Sequence, residues 1–345
     1  MPERPGFVPE HLRSNGKDYI LFPQPGFLFH LNERFGKKTG TQLRKEYLAM
    51  IYALSSLEQE GYDFKFIRTA TRGIEIVDGI EEEKTWEPTE DFIEHDTVEV
   101  RGLPKNSPEA IYTRDLFVTI GRHTFIIPDD RINIEQNESV AKSGLAEGGK
   151  VLVSGKSVLL AADLFLEPEY QSHIETLRAD GYKFGGLIFA PNNNNIQRPN
   201  IPNVIDHIDG HTSLIHGKDN NTYLLYASSY ANRHVKAREI IKKAAYDVEA
   251  KHIEIYDENL PFFAFNLIQT ESGTIVVTSG ANELTNALID LVGKEKVITT
   301  AIPIVQFPRY FGASIRCMTN FCPRWLLPLL TKQVLFTCKP ASDKM

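Results

Sequence analysis

The sequence predicts an α/β chain assembled from small repeated units rather than from one large sheet, and three observations carry that prediction. First, one order recurs: an apolar strand, a tight polar turn, a second apolar strand, a helix, then a third strand. It is clearest in KVLVSGKSVLLAADLFLEPEYQSHIETLRADGYKFGGLIFA from residue 150, in HTSLIHGKDNNTYLLYASSYANRHVKAREIIKKAAYDVEAKHIEIY from residue 211 and in NLIQTESGTIVVTSGANELTNALIDLVGKEKVITTAIP from residue 266. Second, each turn sets Gly beside Ser, Lys or Asp, the residues that accept the tight reversal of a hairpin. Third, the units run to roughly 50 to 60 residues, a length suited to wrapping around a shared centre rather than to independent domains.

Taken in chain order, the opening MPERPGFVPEHLRSNGKDY is polar and broken by prolines, with no apolar core of a signal peptide. No run elsewhere is apolar for long enough to cross a bilayer, so a soluble, cytoplasmic protein with no membrane partner is expected. A strand, YILFPQPGFLF, leads to TQLRKEYLAMIYALSSLEQEG, in which Leu43, Tyr47, Met50, Ile51, Leu54 and Leu57 fall at helical spacing. That spacing buries one helix face, and Gly61 is the stop. Residues 62 to 105 read as acidic and irregular. A further hairpin, DLFVTIGRHTFIIPDD, starts at residue 115, and PNNNNIQRPNIPN from residue 191 is a turn-rich loop. The chain is expected to be a single domain over residues 1–345, with its core repeats in 17–321. An apolar C-terminal extension, 322–345, then covers either the core or a partner subunit, so a homo-oligomer stays open.

Composition sets the limits on function. The 345 residues are 42% hydrophobic, enough for a sizeable core. Lys and Arg number 38 against 45 acidic residues, a net charge of -7, with no basic cluster to neutralise a phosphate backbone. Nucleic acid is therefore not an expected partner. Three cysteines with no C-x-x-C spacing argue against both a disulfide framework and a thiolate zinc site.

The residues standing immediately before the hairpins carry the chemistry. YTRD ends at Asp115, AEGG spans 146–149 and DHIDGH spans 206–211. If the units are related by rotation about an axis, their strand starts share one rim, so Asp115, Glu147, His207 and Asp209 converge. Cys317, in GASIRCMTNF, enters the same space from the turn after the last strand. Singly, each has a bland reading. A cysteine is usually a small buried hydrophobe, Asp115 beside Arg114 is a surface ion pair, and Glu147-Gly148-Gly149 is a turn. His207 and His211 could be a zinc pair, but Gly210 and its β-prone flanks oppose the helix that would bring the two rings together. The joint arrangement is what points to a site.

These motifs, TRD, EGG, HID and GASIRCMT, in this order and with hairpins between them, resemble the guanidine-modifying (pentein) superfamily over roughly residues 17 to 321. That superfamily contains arginine deiminases, dimethylarginine dimethylaminohydrolases, agmatine deiminases and arginine:glycine amidinotransferases. The resemblance implies a five-bladed α/β propeller of pseudo-fivefold ββαβ units, which agrees with the repeats. It implies that Cys317 adds to a guanidinium carbon, that His207 protonates the departing amine and then activates water or an acceptor amine, and that Glu147 orients the imidazole.

The chemistry needs these residue types. Resonance makes a guanidinium carbon a poor electrophile, so a thiolate must attack it while paired carboxylates hold the cation, a role for Asp115 and Asp209. One imidazole can serve as acid and then as base near neutrality. The resemblance implies that Arg131 reaches the carboxylate end of an amino-acid substrate, with a solvated loop arginine as the equal alternative. Neither a metal nor an organic cofactor is expected; the partner is a small guanidino molecule.

The leading activity is a hydrolase that releases ammonia or an alkylamine through an S-alkylthiouronium intermediate. An amidinotransferase shares the first step, and a guanidino-binding protein without turnover is the third reading. Two departures from the pattern bear on this choice. Lys150 stands where arginine deiminases carry Asp, and the chain after the Cys317 turn is longer and more apolar than expected. His211 and Arg316 are read as neighbours of the site, and Cys322 and Cys338 as non-catalytic.

Overall fold

The computed structural model describes residues 17–25, 31–69, 71–77, 80–86, 97–100, 114, 116–126, 140–166, 168–187, 207–232 and 236–332. The chain starts with strand β1 (Tyr19–Pro25), continues through helices α1 (Leu31–Phe35) and α2 (Lys37–Ser55), and returns in β2 (Asp63–Thr69), parallel to β1. Strands β3 (Thr71–Val77) and β4 (Ile80–Trp86) form an antiparallel hairpin, and β5 (Thr97–Val100) lies parallel to β2. Next come the hairpin of β6 (Phe117–Ile120) with β7 (His123–Ile126), and β8 (Val140–Lys142) parallel to β7.

Three units then repeat the expected order. In the first, β9 (Val151–Ser154) and β10 (Ser157–Ala161) form a hairpin. Helices α3 (Ala162–Leu166) and α4 (Pro168–Ala179) lead to β11 (Lys183–Leu187), parallel to β10. In the second, β12 (Thr212–His216) pairs with β13 (Thr222–Ala227), and α5 (Ser228–Ala231) and α6 (Ala237–Asp247) lead to β14 (Ala250–Ile255). In the third, β15 (Ile268–Gln269) pairs with β16 (Ile275–Val277), and α7 (Asn282–Val292) leads to β17 (Val297–Thr299). Helix α8 (Gln306–Phe311) follows, then β18 (Asn320–Cys322), α9 (Leu327–Leu330) and β19 (Thr331–Lys332).

The molecule is thus an α/β protein of small sheets, four of which pair an antiparallel hairpin with a parallel strand, beside the β3–β4 pair and the five-stranded sheet β18-β1-β2-β5-β19. No closed barrel joins these sheets among the described residues. The tight hairpins at Gly121 and Gly155 hold those glycines at φ 59° and 58°, a conformation that costs a residue with a Cβ.

Helix α2 buries Leu43, Tyr47, Met50, Ile51 and Leu54, as the spacing requires, and Gly61 ends the following 3₁₀ turn in the left-handed region. Residues 62 to 105 differ from expectation, because β2, β3, β4 and β5 occupy much of that stretch. Its acidic composition masks strands whose ladders are made by the backbone, with β-branched and aromatic residues supplying the propensity.

The start of the apolar extension also has a place. Strand β18 is antiparallel to β1 and β19 to β5, which brings residues 320–322 and 331–332 onto the first sheet. There Cys322, Leu326, Leu327 and Leu330 pack with Leu21, Ile67, Leu116 and Phe117. No helix among the described residues is long and apolar enough to cross a membrane.

One polar residue lies on the apolar face of α2. Glu46 is fully buried, and its carboxylate accepts the backbone N–H groups of Val305 (3.1 Å), Gln306 (2.9 Å) and Phe307 (2.8 Å) at the start of α8. These are N–H groups that a helix leaves without intrahelical partners, so the bond fixes α8, and with it the turn that follows, against α2. Removing the carboxylate in Glu46→Ala takes the acceptor from three backbone donors, of which the Phe307 N–H is buried and the other two part-buried, and is expected to destabilise the protein by about 1–3 kcal/mol. Glu46→Gln, which keeps one acceptor, should lose less; urea denaturation of the two variants checks the order.

Candidate active site

Helix α8 ends at Gly312 in the left-handed region (φ 62°), and the chain then turns through residues 313–318, with Met318 N–H donating to Ser314 C=O at 3.1 Å. This turn delivers Cys317, which is 3% exposed and shares a core cluster with Ile315, Met318 and Phe307. Its sulfur, however, meets polar groups. Asn266 Nδ2 donates to Sγ at 3.0 Å, and Asp209 Oδ2 lies 3.7 Å from Sγ. The Cys317 N–H donates to Asn266 Oδ1 at 3.0 Å, and the Cys317 carbonyl accepts from Arg114 N–H at 3.2 Å. Filler for a hydrocarbon core would show neither an amide nor a carboxylate at its sulfur.

Asp209 sits in the 3₁₀ turn Ile208–Gly210 that precedes β12, and none of its surface is exposed. Oδ2 accepts from Asn266 Nδ2 at 2.8 Å and lies 3.7 Å from Arg316 Nε, whereas Oδ1 has no hydrogen-bond partner among the described residues. Burial pushes the Asp209 carboxyl above the usual aspartate range, against the opposing charges of His207, Arg316 and Arg114. Arg316 is held in turn by the Val151 carbonyl, which accepts from Nη2 at 2.9 Å.

Glu147 and His207 meet where the turn before β9 approaches the turn before β12. His207 Nε2 lies 3.2 Å from Glu147 Oε1, and Lys150 Nζ lies 3.0 Å from Glu147 Oε2. Burial drives the Glu147 carboxyl upward, but the hydrogen bonds and charges of His207 and Lys150 outweigh it and hold the group below the ordinary glutamate range. Both glycines of the EGG motif are close-approach positions. A Cβ on Gly148 would run into the side chain and carbonyl of Arg114, and one on Gly149 into the His207 ring.

Four of the residues singled out in the sequence therefore share one neighbourhood. Cys317 touches Asp209, Glu147 touches His207, and the His207 charge acts on Asp209 two residues along. Asp115 and Arg131 lie outside the described residues, as does Cys338. His211 turns elsewhere, its ring stacked on Tyr230 at 4.9 Å between centroids, so the two imidazoles of DHIDGH have separate partners. Arg316 belongs to the cluster through Asp209. Sequence reasoning missed Asn266, Arg114 and the partner of Lys150. Asn266 had a signal, since it stands just before the hairpin of β15 and β16, the position that marked the other candidates.

No family model and no curated protein sequence matches the chain. By structure it is similar to dimethylarginine dimethylaminohydrolase from Pseudomonas aeruginosa, crystallised in complex with citrulline. The two share 13% identity at a TM-score of 0.51 over 89% of this chain and 99% of that one. It is also similar to the agmatine deiminase of C. jejuni with substrate bound, at 12% identity and a TM-score of 0.54 over 90% of this chain and 94% of that one. Both are members of the pentein superfamily, and this chain shares their fold.

Two outcomes follow from the geometry. Gly149→Ala should push the His207 ring off Glu147 while leaving the fold intact; loss of the Glu147-dependent response in an NMR titration of His207 would report it. Asp209 tests the electrostatics. Because its folded carboxyl titrates above the ordinary value, the native state keeps a proton that the unfolded chain has already lost, so Asp209 reduces stability progressively as pH rises between the two values. Asp209→Asn should therefore leave Tm at pH 7 equal or higher, with the difference vanishing below the ordinary aspartate range; a lower Tm at pH 7 would contradict this account.

Proposed function

We propose that the chain is an enzyme that acts on a guanidino compound through a covalent adduct on Cys317, and that its small sheets are the blades of a five-bladed propeller within one catalytic domain. One observation carries the reading. A wholly buried carboxylate offers a hydrogen-bond acceptor, Asp209 Oδ1, with no partner among the described residues, and its other oxygen is 3.7 Å from a thiol. An acceptor of that kind calls for a cationic donor, and a planar guanidinium bound there would present its central carbon to the sulfur. Of the two structural neighbours, one holds citrulline, whose planar ureido group has the shape of a guanidinium without its charge, and the other is an agmatine deiminase with substrate bound.

In this reading the Cys317 thiolate adds to the guanidinium carbon, and His207, as the imidazolium, gives its proton to the departing nitrogen. The C–N bond breaks, ammonia or an alkylamine leaves, and an S-alkylthiouronium remains on the sulfur. Neutral His207 then takes a proton from water as the oxygen attacks the same carbon. Collapse expels the thiolate, the hydroxyl proton passes to solvent and a ureido product is left, with Glu147 holding the imidazole throughout. Asp115 as a second carboxylate for the guanidinium, and Arg131 at the far end of the substrate, complete the reading from sequence.

Cys317→Ser is expected to lower turnover at least about a thousandfold with the fold retained. A haloacetamidine should label Cys317 stoichiometrically and spare Cys322, whose burial pushes its thiol well above the usual range. Screening arginine, methylated arginines, agmatine and peptidyl-arginine for a ureido product, with and without glycine as acceptor, identifies the reaction. A guanidinoacetate product would replace hydrolysis with amidino transfer, and a native protein that is not labelled at Cys317 would overturn the enzymatic reading.

A further inference from the structure

We propose that Asn266 is a positioning residue for this chemistry: its one side-chain amide sets the place and charge of the Cys317 sulfur and ties it to the Asp209 carboxylate. The proposal rests on the reading of Cys317 as the nucleophile and extends it to a residue that neither motif nor comparison assigns.

The geometry fixes which way the amide points. The Cys317 backbone N–H is 3.0 Å from Asn266 Oδ1, and a backbone N–H can only donate. The amide oxygen must therefore face it, which leaves the two Nδ2 hydrogens for the remaining neighbours. Those are the Cys317 sulfur at 3.0 Å and Asp209 Oδ2 at 2.8 Å. The oxygen accepts one bond and the nitrogen donates two, so every group around the side chain is matched. A flipped amide would set N–H against N–H and an oxygen against both a carboxylate and a sulfur.

Two consequences follow. Sulfur accepts a hydrogen bond better as a thiolate than as a thiol, so the Nδ2 donor favours the reactive form. A thiolate 3.7 Å from a carboxylate is also a like-charge pair in a dry site, and a donor shared between the two offsets part of that repulsion. Arg316, His207 and Arg114 bring positive charge to Asp209, and Asn266 contacts both the acid and the sulfur.

The backbone holds Asn266 as firmly as its side chain holds the site. The Asn266 N–H donates to the Phe263 carbonyl at 2.9 Å, and the Asn266 carbonyl accepts from Arg316 N–H at 3.2 Å. Phe263 is itself buried in the left-handed region at φ 64°, strained for a residue with a bulky side chain, and its ring covers Gly210 next to Asp209. Residue 266 is thus bonded to both 316 and 317, so the amide and the thiol cannot drift apart.

The test is the pH dependence of Cys317 alkylation by iodoacetamide, read by mass spectrometry alongside thiolate absorbance, with Cys317→Ser as the blank. Asn266→Asp keeps the shape and the acceptor for the Cys317 N–H but removes both donors and adds an anion. It is expected to move the alkylation limb upward by at least about one pH unit, a tenfold slower reaction at neutral pH, and to lower kcat by about a hundredfold or more. Asn266→Ala, which adds no buried charge, should move the limb the same way by less and gives the same reading where the Asp variant does not fold. A folded variant whose limb coincides with that of the unaltered protein overturns the role of Asn266 while leaving the nucleophile in place. An unaltered protein whose Cys317 resists alkylation at every pH overturns both.

Discussion

A carboxylate taken wholly out of water costs several kcal/mol unless charge and hydrogen bonds replace its hydration, and the candidate site is organised around one such group, Asp209. Its surroundings supply part of the compensation through the Asn266 amide, the Arg316 guanidinium and the charges of His207 and Arg114. The compensation is incomplete, since burial still dominates the titration and one oxygen has no partner among the described residues. In the proposed reading, the fold gives up stability at Asp209 for a binding site, a trade natural proteins make where function needs a preorganised charge. The missing compensation has the sign and geometry of a cation bearing N–H groups. That is why the guanidino reading follows from the electrostatics as well as from the motifs.

The repeated units explain how residues so far apart in sequence reach one point. Glu147 precedes β9, Asp209 precedes β12 and Asn266 precedes β15, while Cys317 lies in the turn before β18. In each case the candidate residue belongs to the short segment that leads into a strand, so the strands act as rigid supports and the segments as the fingers. Close approach between the fingers needs backbone without side chains, which is the task of Gly148 against Arg114 and Gly149 against His207. Glu46 does comparable work further back by anchoring the start of α8, the helix that leads to the Cys317 turn.

Much of this was legible in the sequence, and the exceptions have physical reasons. Helix α2 is visible because its buried residues repeat at helical spacing, and the hairpins because glycine at a positive φ punctuates them. The strands between residues 62 and 105 were hidden because acidic side chains resemble a solvated loop; β3 and β4 pair locally, whereas β2 and β5 depend on β1 and on each other across a gap in sequence. Strands β18 and β19 were hidden for the same reason, their partners lying at the other end of the chain. Asn266 escaped notice because a neutral amide carries no chemistry of its own; only its neighbours give it a role. Lys150 was conspicuous as a departure, yet its partner, Glu147, stands three residues before it.

The cluster divides into two environments, and in the proposed reading the division lets one site serve both halves of the reaction. Asp209 is 0% exposed and Cys317 3%, whereas the side chains of Glu147 and His207 are 37% and 22% exposed. A nucleophile and a cation-binding acid gain from dryness, because each charge interaction strengthens as the local dielectric falls. A proton-transfer group has the opposite need: it must deliver a proton to a leaving amine and then take one from water, so it must meet solvent. His207 stands at the boundary, bonded to Glu147 on the wetter side and acting through its charge on Asp209 on the drier one. Lys150 belongs to the wet side and takes the second Glu147 oxygen, which keeps that carboxylate ionised without a second imidazole. In the proposed reading this ion pair steadies the orienting carboxylate and leaves Asp209 as the anionic group in contact with the sulfur.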